Sequence, residues 1–202
     1  MKTKQFIIAA LILVFVQGGL MAQNDFSFTP KVGFNMSNIS GTGFNDGGSN
    51  PRYGVNVGFS VEKMILPRLA LESGIFYSMQ GMRFESGSLD VNMDYINVPV
   101  LAKYYLFRGL NVYAGPQLGI NVKAETKGSL VGDETVDIKD DIKTLDPALV
   151  VGLGYQFDMG LSVSANYNWS FLNQAKSNGH HVSSEHGDYH NNVLQVNLGW
   201  RF

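Results

Sequence analysis

Eleven residues from Leu161 to Phe171 alternate apolar and polar side chains without a break, and no other stretch constrains the fold as tightly. On a strand, successive side chains point to opposite faces. Leu161, Val163, Ala165, Tyr167, Trp169 and Phe171 therefore share one face, and Ser162, Ser164, Asn166, Asn168 and Ser170 the other. The pattern returns at Leu194, Val196, Leu198, Trp200 and Phe202, set against Gln195, Asn197, Gly199 and Arg201. A soluble sheet could hide one such face against a core. Here nearly every strand pairs a long uncharged apolar face with one too polar for an ordinary core. That combination predicts a transmembrane β-barrel, apolar outside and polar within.

Period-two runs predict eight strands, over 26–38, 53–64, 68–82, 93–107, 110–124, 147–157, 160–172 and 192–202. Most are long enough to cross a bilayer when tilted. Connections after the second, fourth and sixth strands are tight, at Ile65-Leu66-Pro67, Arg108-Gly109 and Asp158-Met159. Those after the first, third, fifth and seventh are long and polar, over 39–52, 83–92, 125–146 and 173–191. This alternation predicts an all-β, eight-stranded antiparallel up-and-down transmembrane barrel, with short periplasmic turns and long extracellular loops.

The faces can be assigned residue by residue. Outward go Val32, Phe34, Met36, Val55, Val57, Phe59, Val61, Leu69, Leu71 and Ile75. Ile96, Val98, Val100, Val112, Ala114, Leu118, Ile120, Val151, Leu153 and Tyr155 continue that wall. Inward go Lys31, Asn35, Asn56, Ser60, Glu62, Glu72, Gln80, Asn97, Lys103, Asn111, Gln117, Asn121 and Lys123. Only the inward set carries charge, as expected when a basic residue at the lipid midplane costs about 2–4 kcal/mol. Aromatics gather at strand ends. Trp200, Phe202, Tyr155, Phe157 and Tyr104 fall towards the periplasmic rim, and Tyr167, Trp169, Phe171 and Tyr77 towards the outer one. Two headgroup-level belts are expected.

Residues 1–22 read as a signal peptide: Met1-Lys2-Thr3-Lys4 is basic, Phe6 to Val16 apolar, and Leu20-Met21-Ala22 a cleavage site. The apolar run is shorter than the roughly 20 residues of a spanning helix. The domain is then 23–202, without internal repeat or second domain. With no cysteine, disulfides, thiol chemistry, cysteine metal sites and a lipidated cysteine are excluded. The net charge of −2 lacks the basic patch that nucleic acid would need.

Several segments resemble the PorT-like small outer-membrane β-barrel proteins of Bacteroidetes-type bacteria. They are Pro30-Lys31-Val32-Gly33-Phe34-Asn35-Met36-Ser37, Leu71-Glu72-Ser73-Gly74-Ile75-Phe76-Tyr77-Ser78 and Tyr95-Ile96-Asn97-Val98-Pro99-Val100-Leu101-Ala102-Lys103-Tyr104-Tyr105. Tyr113-Ala114-Gly115-Pro116 and Val151-Gly152-Leu153-Gly154-Tyr155 add to them. Phe202 is similar to the aromatic end that barrel-assembly machinery recognises. The resemblance implies an eight-stranded barrel integral to the outer membrane. It implies no shared catalytic motif.

Three constellations could carry chemistry. Glu62, Glu72, Lys103 and Arg201, with Lys31 and Lys123, would meet in the lumen. Eight strands leave an interior that side chains fill, so paired charges that plug it are expected, with a narrow ion path as the alternative. His180, His181, His186 and His190, beside Glu185 and Asp188, could hold Zn²⁺, Ni²⁺ or Cu²⁺, but their spacing fits no rigid motif; a solvated loop is the expectation. Acidic 125–146, with Glu125, Asp133, Glu134, Asp137, Asp140, Asp141 and Asp146, lacks the ligand order of a calcium loop and is expected to be solvated. A lipid-modifying enzyme would need a histidine such as His180 or His186 fixed beside Ser170, Ser177 or Ser184.

The expected function is therefore a non-enzymatic outer-membrane barrel acting through its outer loops or through envelope protein partners. No catalytic residue, cofactor or metal ligand is assigned. The partners expected are outer-membrane lipid, barrel-assembly machinery and envelope proteins, and no nucleic acid. A lipid-modifying enzyme and a narrow solute channel are the alternatives. A secreted soluble barrel would need the opposite faces, apolar within and charged outside.

Overall fold

The computed structural model describes residues 26–41, 49–84, 90–127, 135–140, 142–171 and 189–202. The signal peptide read over 1–22 lies outside them, as do His180, His181 and His186. Nine strands follow in order: β1 Phe26–Gly41, β2 Ser49–Leu66, β3 Leu69–Phe84, β4 Asp90–Phe107, β5 Leu110–Lys127, β6 Thr135–Asp137, β7 Leu145–Gln156, β8 Leu161–Ser170 and β9 Tyr189–Trp200. All pairings are antiparallel and join consecutive strands, except that β7 pairs with β5 past short β6, and β9 returns to β1. The ring β1-β2-β3-β4-β5-β7-β8-β9 closes an eight-stranded barrel, with three-residue β6 appended to the outer end of β5. Closure removes every unpaired edge within the membrane, where a bare backbone group has no water to bond.

The wall has the predicted inversion. Val32, Phe34, Val57, Leu71, Ile75, Val100, Val112, Val151, Leu153 and Val196 are exposed, whereas Asn35, Asn56, Ser60, Glu62, Glu72, Asn97, Asn111, Asn166 and Asn168 are buried. In lipid that exposed set faces acyl chains, which is the cheap arrangement for both faces. Aromatics flank the wall at both rims, including Tyr155 against Phe157 (ring centroids 4.7 Å apart) and Trp169 near Phe171 (6.1 Å).

Two expectations are corrected. Lys123 does not enter the lumen. Asp94 pairs with Lys123 but Tyr95 pairs with Asn121, so Val122 is an extra residue and the alternation flips beyond it. The Lys123 side chain is half exposed and pairs with Glu125 at 2.9 Å. Nor is 125–146 solvated throughout. Ile138 and Ile142 are buried, Ile138 N–H bonds to Ala124 C=O at 3.0 Å, and Asp146 is buried as an acceptor for Ser170.

The seam between the first and last strands is fastened at its periplasmic end. Phe202 N–H donates to Phe28 C=O at 2.9 Å, and Phe28 N–H returns a bond to Phe202 C=O at 3.3 Å. Deleting Phe202 removes both bonds and an exposed ring from the periplasmic aromatic belt. The expected result is a lower outer-membrane level and more unfolded protein in the periplasm, read by fractionation and heat-modifiable gel migration. Unchanged levels would show that these contacts do not matter to assembly.

Candidate functional site

The lumen is stacked in three layers, each set by what the strands place at its height. The lowest lies within a few residues of the tight turns. Lys103 on β4 donates to Glu62 on β2 at 2.7 Å and to Glu72 on β3, and Lys31 on β1 donates to Glu72 at 2.5 Å. Tyr105 donates to the second Glu62 oxygen at 2.7 Å, and Arg201 lies 3.6 Å from it while donating to Ser27 at 2.8 Å. The result is one alternating ladder, Lys31–Glu72–Lys103–Glu62–Arg201. The lysine and glutamate side chains are at most 12% exposed. Removed from water, such charges are tolerable because each carboxylate has at least two partners. Lys103 also lies 5.9 Å from the centre of the Tyr113 ring.

The middle layer is neutral. Asn56 donates to Asn35 at 2.7 Å, Asn35 to Ser78 at 2.8 Å, and Gln80 to the same serine at 2.8 Å. Across the barrel, Asn166 donates to Gln195 at 3.0 Å and to Asn168 at 2.6 Å, and Asn197 to Asn166 at 3.1 Å. Leu101, Tyr113 and Val150 pack together among these amides. Glycine makes room for the rings: a Cβ at Gly152 would stand 2.5 Å from the Tyr113 ring, and one at Gly74 2.8 Å from the Phe76 ring.

The top layer is apolar. Met82, Val91, Met93, Tyr95, Ala124, Ile138 and Ile142 form one buried cluster, with Val136 packed against it. The lower members come from β3, β4 and β5, and Ile138 and Ile142 from the segment that follows β6. The outer connection thus folds back over the barrel mouth. Between the layers are two small voids, of about 40 and 20 Å³. These have room for isolated waters and no more.

Lys31, Glu62, Glu72, Lys103 and Arg201 were all legible from their place on the polar face. The apolar cap was not, although its signal was present. Val136 and Ile138 alternate inside an otherwise charged segment. For the serine–histidine alternative, Ser170 sits inside the wall on β8 and donates to Asp146 on β7. Ser177, Ser184, His180 and His186 lie outside the described residues. So does the proposed histidine metal cluster apart from His190, and the described residues contain no group of three or more histidines and carboxylates able to hold a metal.

The family model described as "Outer membrane protein beta-barrel domain" matches residues 21–176. A search of curated proteins gives no match. Among solved structures, Neisserial surface protein A is similar, with a TM-score of 0.57 at 13% identity, over 89% of this chain and 98% of that one. Ail, the attachment invasion locus protein of Yersinia pestis, is similar with a TM-score of 0.50 at 17% identity, over 89% of this chain and 100% of that one. At such identities the likeness is one of fold.

Proposed function

Because the chain belongs to the outer membrane protein beta-barrel domain family and is an outer-membrane barrel, we propose that it is a non-conducting, non-enzymatic scaffold. Its work is done by the long outer connections or by envelope proteins that meet them. One observation carries this reading: paired charges, amides and apolar side chains of the described residues pack across the lumen in successive layers. Among the described residues a charged ladder crosses the lumen above an open periplasmic vestibule lined by Ser27, Tyr105 and Arg201. An amide layer fills the middle, and an apolar cluster packs at the outer end, the voids beside the ladder and amides measuring about 40 and 20 Å³. A permeant ion would have to break the ladder and then cross a layer with nothing to replace its hydration shell. The narrower assignment to the PorT-like group rests on the segments quoted from the sequence. An attachment or secretion-accessory role is compatible with it, and Ail is named for attachment and invasion.

Planar bilayer recording tests the scaffold directly. The purified barrel is expected to give no steady conductance, even with 173–188 replaced by a short turn that leaves β9 intact. In cells, the same replacement should leave a folded, heat-modifiable barrel but remove the cross-links to envelope proteins that the intact chain makes. A reproducible open channel of porin size would return the lumen to a transport role. Unchanged cross-links would move the working surface away from that connection.

A further inference from the structure

The outside wall is not uniformly convex. A groove of about 700 Å³ runs across its lipid-facing side, floored by Ala102, Ala114, Gly152 and Ala165 and bounded by Tyr104 and Tyr167 among others. The register explains it. Ala102 pairs with Ala114, which leaves a hollow on β4 and β5, and Ala165 beside Leu153 continues it across β7 onto β8. Its lining runs up the wall from Leu69 and Tyr104 near the tight turns to Tyr167 and Leu194, so its lower end opens towards the periplasmic rim. Leu69, Tyr104 and Val112 form its lower mouth, Leu69 pairing with Tyr104 and Tyr104 with Val112.

Directly beneath that mouth are two of the three turns, and each carries an arginine. Arg68 immediately precedes Leu69, and its carbonyl accepts from Tyr105 N–H at 2.8 Å. Arg108 lies exposed between β4 and β5, its guanidinium 5.2 Å from the centre of the Phe107 ring. Phe107 is itself 67% exposed, an aromatic at headgroup height. The third turn bears Asp158 instead.

We propose that this groove holds an acyl chain of a periplasmic-leaflet phospholipid with an anionic headgroup, its phosphate against Arg68 and Arg108. The groove opens onto the bilayer, its lining is almost wholly apolar, and cations at headgroup level attract anionic lipid. Its lower mouth, with Arg68 and Arg108 in the turns beneath, opens at the periplasmic headgroup level, which selects phospholipid over the glycolipid of the outer leaflet. The site is on the outer wall, so it stands whether or not the lumen conducts.

The test is lipid retention read by native mass spectrometry. Wild-type barrel is released from nanodiscs of phosphatidylethanolamine containing a minor share of phosphatidylglycerol, and in parallel purified from native outer membranes. One retained phospholipid is expected, enriched in phosphatidylglycerol. Arg68→Gln with Arg108→Gln should abolish the enrichment, at about fivefold in affinity for each guanidinium. Ala114→Phe fills the groove and should lower retention of either phospholipid about tenfold. Val55→Phe, on β2 and away from the groove, should match the wild type. Should Ala114→Phe fail to fold, Ala165→Phe places a ring in the same groove from β8. Retention by the groove-filled barrel equal to that of Val55→Phe would overturn the acyl site. Retention without headgroup preference in the wild type would overturn the arginine contact. Glycolipid rather than phospholipid on the native barrel would overturn the choice of leaflet.

Discussion

Replacing Glu72 with alanine is expected to destabilise the barrel by roughly 3–5 kcal/mol, because it strands the buried Lys31 ammonium and leaves Lys103 with Glu62 as its one carboxylate. Glu72 accepts from both Lys31 and Lys103, and the side chains of the three are 5%, 12% and 12% exposed. Glu62→Ala should cost less, since Arg201 is 30% exposed on the mouth side and can turn to water. Urea unfolding of barrels refolded in detergent or liposomes measures the difference, with Asp158→Ala in an exposed turn as the control. A pairing effect makes a further demand: Glu72→Leu combined with Lys31→Met should recover most of the loss, since it removes the stranded ammonium together with its carboxylate while Lys103 keeps Glu62. If Glu72→Ala behaves like the turn control, the ladder contributes nothing to stability.

Gly152→Val is the second large effect. Its Cβ would stand 2.5 Å from the Tyr113 ring and 2.7 Å from the Ala165 carbonyl oxygen. Overpacking of this kind costs about 1–3 kcal/mol, and the upper part of that range is expected here because Tyr113 is held among Leu101, Val150 and Asn166. In a Tyr113→Ala background the same substitution should be much milder, so a double-mutant cycle should show strong coupling between the two positions. Independent, additive losses would place the strain at the Ala165 carbonyl and acquit the ring.

What was readable in the sequence follows from what a two-residue period can encode. Wherever a strand crosses the bilayer in regular register, one residue's face fixes all the others. Glu62, Glu72 and Lys103 from three strands, and Arg201 just past the end of β9, could thus be placed in one lumen. The method failed at Lys123 because the extra residue Val122 reverses the parity of everything beyond it, and nothing in Asn121-Val122-Lys123 marks a bulge. It failed again above the membrane. There strands need not alternate apolar and polar, so β2 begins at Ser49 rather than 53 and β4 at Asp90 rather than 93. Tyr95 and Met93 turn inward to meet Ile138 and Ile142, an apolar contact that no strand-by-strand reading joins. The groove on the outer wall was invisible for a related reason. Ala102 and Ala114 are unremarkable singly, and only cross-strand register sets them side by side, with Ala165 across β7.

The β1–β9 seam also sets the order of events during biogenesis. Ser27 and Arg201 meet across it although 174 residues separate them along the chain. Each hairpin can form early, because its strands are neighbours in sequence, but the ring cannot shut until β9 arrives. Until that moment β1 offers a bare hydrogen-bonding edge to any other strand in reach. Contacts so distant in sequence carry a large loop-closure entropy and form slowly. The interval before closure is therefore when this chain is most open to proteases and to mispairing with another copy of itself, and when a chaperone holding the β1 edge would matter most.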